Sequence, residues 1–93
     1  MLTLSLPTHQ HDENVKCIYL DEAGYIRFYL EYWKDCKVTK EKAENSWRRM
    51  YKHKIDGKEY YQLVDHSSWN TKRQCNIARK YGFERIERME WFD

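Results

Sequence analysis

The run from Thr39 to Val64, TKEKAENSWRRMYKHKIDGKEYYQLV, limits what this chain can fold into more than any other stretch. Thr39 is a good helix N-cap, and Glu41 sits in the first turn, where negative charge suits the helix dipole. Ala43, Trp47, Met50 and Tyr51 fall at i, i+4, i+7 and i+8, which predicts one buried stripe on a helix ending near Lys52. Lys40–Glu44 and Glu44–Arg48 are i,i+4 pairs that add a few tenths of a kcal/mol each at most. Ile55-Asp56-Gly57-Lys58 then carries the Asp-Gly hairpin signal, flanked by Tyr60, Tyr61, Leu63 and Val64.

The flanking segments carry further strand signals and a second helix. Val15–Leu20 reads as a strand, and Asp21-Glu22-Ala23-Gly24 as a four-residue hairpin loop. Tyr25–Trp33 fits two templates. Ile26, Phe28, Leu30 and Tyr32 alternate as in a strand, while Ile26, Tyr29, Leu30 and Trp33 make a helical stripe. Its aromatic and β-branched content favours strand. Ser67, Ser68 and Asn70 mark a turn, and Thr71 with Gln74 makes a T-x-x-Q capping box. Gln74, Ile77, Ala78 and Tyr81 continue that helix. Gly82 is placed as its left-handed stop, with Phe83 folding back on it. Glu84–Phe92 fits a strand or a short helix: Ile86, Met89 and Phe92 sit three apart, while Met89 and Trp91 alternate, and strand is the favoured reading.

The expected fold is α+β. From Tyr25 the order is β-α-β-β-α-β, a ferredoxin-like sandwich of one antiparallel sheet and two helices, with an extra N-terminal strand. Residues 1–14 are expected to form an N-terminal arm and 15–93 a single domain. Ninety-three residues bury a thin core, and an aromatic fraction of 16% supplies large rings to fill it.

Cys17, Cys36 and Cys75 are odd in number and far apart, which disfavours a disulfide framework and fits a reducing compartment. No apolar run reaches the ~20 residues needed to span a bilayer, and the first residues lack the basic start of a signal peptide. The expectation is a cytoplasmic protein with no membrane partner. His9-x-His11-Asp12 is a conceivable ligand cluster on the arm, but nothing has zinc-site spacing, and no metal or other cofactor is expected. Phosphate-cradling and nucleophile-elbow motifs are absent too, so a non-enzymatic binding domain is expected.

The best functional signal is charge segregation. From Asn45 to Ile55 there is no acid, yet Arg48, Arg49, Lys52 and Lys54 lie there with Trp47, Tyr51 and His53. From His66 to Phe83 there is again no acid, and Lys72, Arg73, Arg79 and Lys80 lie there with Trp69, Asn76 and Tyr81. Cations beside aromatics suit phosphate contact and base stacking, so these eight residues are expected to contact DNA or RNA, with Trp69 stacking. Two short stretches also resemble DNA-binding families. Val38-Thr39, Ala43, Trp47 and the Asp56-Gly57 hairpin look like the helix and wing of excisionase-type winged-helix proteins. Thr71–Phe83, with Ala78 and Gly82, is similar to the second helix of a helix-turn-helix. The other reading is a protein-binding inhibitor or adaptor, such as a small viral or mobile-element antagonist of a host enzyme. It would use Tyr60 or Tyr61 on an exposed edge strand, since interface hot spots favour tyrosine.

Overall fold

A computed structural model of the chain describes residues 10–66 and 71–92, and side chains for 14–66 and 71–89. The elements run β1 (Gln10–Leu20), α1 (Glu22–Tyr32), α2 (Lys40–Arg49), β2 (His53–Ile55), β3 (Lys58–Val64), α3 (Lys72–Tyr81) and β4 (Phe83–Phe92). They make a small α+β structure with one antiparallel four-stranded sheet, in the order β2-β3-β1-β4, and three α-helices.

The first correction concerns Asp21–Trp33. It is neither hairpin loop nor strand but the capped helix α1. The Asp21 carboxylate accepts the Gly24 N–H at 2.8 Å, and Glu22 adds an acid to the first turn. The buried face is Tyr25 and Phe28, joined by half-buried Tyr29 and Tyr32, an i, i+3, i+4, i+7 stripe. With this segment helical, Val15–Leu20 is the first strand of the fold rather than an extra one, and a pair of helices fills the first crossover. β1 also begins at Gln10, so residues 10–14 belong to the sheet and not to an arm.

α2 is capped by Thr39, whose Oγ1 accepts the Lys42 N–H at 3.2 Å. It stops at Arg49, because Met50 turns extended (ψ 161°). Ala43 and Trp47 are buried, and the Tyr25 hydroxyl bonds Ser46 Oγ at 2.8 Å, tying α2 to α1. Tyr51 falls beyond the helix and is 80% exposed rather than part of the stripe. Neither Lys40–Glu44 nor Glu44–Arg48 forms an ion pair; Arg48 donates to the Asn45 side-chain oxygen at 2.8 Å instead. The hairpin turn follows the sequence reading, with Asp56 (φ 52°) and Gly57 (φ 81°) both left-handed. It joins two strands of the four-stranded sheet, so it is not a free-standing wing.

α3 carries the full capping box: Thr71 Oγ1 accepts the Gln74 N–H, and Gln74 Oε1 accepts the Thr71 N–H, both at 3.1 Å. Thr71→Ala should cost about 1 kcal/mol of stability, read as a lower urea midpoint at unchanged slope. Gly82 is not a left-handed stop, for its φ is −135°. Glycine is needed there for closeness: a Cβ would lie well inside 3 Å of the Tyr19 carbonyl oxygen and 2.7 Å from Leu20 Cδ2. Phe83 accordingly leaves the helix and starts β4, where it stacks on Tyr19 at 5.5 Å.

Both faces of β1 are covered along 17–20. Ile18 and Leu20 join Leu63, Trp47, Cys75, Ile77 and the α1 aromatics on the helical side. Val15, Cys17, Tyr19 and Val64 form a second cluster on the opposite side, with Tyr60, Ile55 and Met89 against it. Cys17 and Cys75 are thus buried as small apolar residues, and Cys36 is exposed. Among the described residues no helix is long and apolar enough to cross a membrane.

Candidate nucleic-acid interface

α1 packs against both α2 and α3, so the two basic windows lie on opposite flanks of it. Their surroundings differ.

The α3 window is free of acids in sequence but not in space. Arg79 pairs with Asp65 and, at 2.9 Å, with Glu84. Lys80 pairs at 2.6 Å with Glu31 of α1, which also accepts the Tyr81 hydroxyl at 2.5 Å. The Lys80 and Tyr81 bonds hold the Glu31 carboxyl below the usual carboxylate range. Arg73 lies over the Tyr32 ring at 4.9 Å and donates to the Tyr32 carbonyl. Only Lys72 of this group makes none of these contacts, and it borders an open cleft with Lys34, Arg73, Asn76 and Glu31. Trp69 lies outside the described residues, as do the side chains of His9, His11 and Asp12.

The α2 window keeps its cations. Arg48 bonds Asn45. Lys52 sits 5.1 Å over the Trp47 ring and reaches the Arg48 carbonyl at 3.5 Å. Among the described residues none of Arg48, Arg49, Lys52 and Lys54 has an acid within ion-pair distance. Arg49 lines a groove of about 480 Å³ with Lys42, Asn45, Ser46, Met50 and Tyr29, none of them acidic. Beside them stands Tyr51, held edge-on against His53 at 5.1 Å with most of its ring in solvent.

No protein-family model matches the chain, and no curated protein or solved structure does either. The site therefore rests on its own geometry. That geometry adds Lys42 and Asn45 to the residues anticipated from sequence. They fall seven and four residues before Arg49 on one helix flank, a spacing visible in the sequence once α2 is placed.

Tyr60 and Tyr61 have other surroundings. β3 pairs with β2 through Lys58–Tyr60 and with β1 through Tyr61–Val64. Tyr61 packs into the helical-side core, 5.1 Å from Tyr25, and Tyr60 packs edge-on against Phe83 at 5.2 Å.

Proposed function

We propose that the domain is a non-enzymatic nucleic-acid-binding module that works through α2 and its exit. Lys42, Arg48, Arg49, Lys52 and Lys54 contact phosphates, and Tyr51 offers a ring for an unpaired base. One observation carries the reading: the cations of this window have no acid partner, whereas those at the end of α3 are neutralised. We read the scaffold as a variant of the ferredoxin-like sandwich with a second helix in its first crossover, acting in the cytoplasm. The protein-binding reading is less favoured, because the Tyr61 ring packs into the helical-side core and the Tyr60 ring packs against Phe83.

The test is anisotropy of a fluorescein-labelled 20-nucleotide single strand, with a duplex of the same sequence alongside, between 50 and 200 mM salt. About four phosphate contacts give a log–log slope near −3 for the single strand and a loss of roughly 50-fold over that range. The Arg48→Ala, Arg49→Ala, Lys52→Ala, Lys54→Ala variant should flatten the slope. Arg79→Ala with Lys80→Ala should leave it unchanged. A flat salt response in the parent chain, or equal binding by the fourfold variant, would refute the assignment.

A further inference from the structure

β4 is the longest edge in the sheet. Its ten residues pair with β1 on one side, and among the described residues no strand pairs with the other. Exposed edges of this length recruit further strands unless something opposes it. Here the charges do not oppose it.

Residues 84–88 read Glu-Arg-Ile-Glu-Arg. Register with β1 sets Glu84 opposite Ile18 and Ile86 opposite Lys16, so Glu84, Ile86 and Arg88 project on the helical side. Arg85 stands opposite Cys17 and Glu87 opposite Val15, on the other side. Two copies of a strand paired antiparallel about a two-fold axis keep each face continuous, so the axis must pass through a single residue position. Centring on Arg85 sets arginine against arginine, and centring on Glu87 sets glutamate against glutamate. Centring on Ile86 places Glu84 opposite Arg88 of the second copy and Arg85 opposite its Glu87, each twice by symmetry. Ile86, 67% exposed in the single chain, then meets its own mate on the axis. Met89 faces Phe83, itself 41% exposed.

We propose that β4 binds β4 of a second copy of this chain, antiparallel and centred on Ile86, making one continuous eight-stranded sheet from two four-stranded ones. Opposite-charge pairs directly across strands stabilise such pairing, and like charges oppose it. The two short β2 strands become its outer edges, a shorter exposed ladder than β4 presents alone. The proposal is independent of nucleic-acid binding.

Sedimentation velocity over a broad concentration range tests it. The parent chain should shift from one chain's mass to twice that mass. Arg88→Glu and Glu84→Arg, each alone, should weaken dimerisation roughly tenfold, because each creates two like-charge pairs across the axis. Mixed one to one they should recover it, since both cross-strand contacts in the mixed pair are again acid to base. Hydrogen exchange of the parent chain gives a second reading that needs no variant: outer-edge amides of β4 should gain protection as concentration rises. A parent chain that stays monomeric to millimolar concentration overturns the proposal. So does a mixture that associates no better than its components, or β4 protection independent of concentration.

Discussion

Gly24→Ala should melt about 10 °C below the parent chain, against the direction of helix propensity. Alanine in a helix is favoured over glycine by up to about 1 kcal/mol, so an exposed helical glycine would be improved by the change. Gly24 is buried where α1 crosses the end of α3. A Cβ there would lie 2.5 Å from the Tyr81 carbonyl oxygen and 3.1 Å from the Asp21 carboxylate that caps the helix. The first neighbour is backbone, and it cannot swing aside: the following Gly82 is itself wedged against Tyr19 and Leu20. Either α1 lifts off α3 or the cap distorts. We expect a net cost of about 2 kcal/mol, in the range for overpacked cores. A melting temperature equal to or above the parent's would show that the contact yields.

The second large effect is with pH, and it lies on the alkaline side. Burial pushes the Tyr19 hydroxyl up to about 12, reinforced by its hydrogen bond to Glu87. Burial also pushes the Cys75 thiol up to about 11, with Asp65 adding to it. Cys17, Tyr25 and Tyr61 are raised too, each with burial as the leading cause. All five are acids whose neutral form the fold favours. The unfolded chain therefore loses protons first: the stabilisation is complete below the ordinary thiol and phenol values and is lost as pH climbs through the raised ones. Together the raised Tyr19 and Cys75 values make a stabilisation on the order of a few kcal/mol, a large share of the stability of a small domain. Urea midpoints should hold level near neutrality and collapse between about pH 9 and 12, with tyrosinate absorbance rising in step with unfolding. The acid limb should be gentler. Asp21 is lowered by the Gly24 N–H and then by Lys58, and Glu31 by Lys80 and Tyr81, so their contribution is present above the carboxylate range and lost as pH falls. Both sit in surface partnerships of small worth. A midpoint that stays level to pH 12 would contradict this account.

How far the fold could be read in advance differs sharply between elements. Thr39, Thr71 with Gln74, and Asp56-Gly57 act through bonds within a few residues, so they carry the same meaning in the sequence and in the structure. In α1 the apolar and aromatic residues, Ala23, Tyr25, Ile26, Phe28, Tyr29, Leu30 and Tyr32, spread round the helix, which leaves little contrast for periodicity. The helical alternative in the sequence, Ile26-Tyr29-Leu30-Trp33, is rotated from the face that packs, Tyr25-Phe28-Tyr29-Tyr32. Asp21-x-x-Gly24 looks like a loop because the demand on Gly24 comes from Tyr81, far along the chain. Gly82 misleads in the same way. The site follows the same division. A basic window can be counted from sequence, but whether it stays basic depends on what folds beside it. Asp65 and Glu84 border the α3 window and Glu31 lies far from it in sequence, and the fold sets all three against its cations.

The position of β1 has a consequence for how the chain is made. Among the described residues it is the first strand in chain order, and it lies second from the edge of the finished sheet, between β3 and β4. Its pairing with β4 runs from Gln10–Phe92 to Tyr19–Phe83, nearly end to end along the sequence. At about 5–20 residues per second, the ribosome leaves β1 waiting for several seconds before its second neighbour exists. Val15, Cys17, Ile18, Tyr19 and Leu20 are without their final cover for that interval. Nascent chains halted before Phe83 should be captured by holdase chaperones.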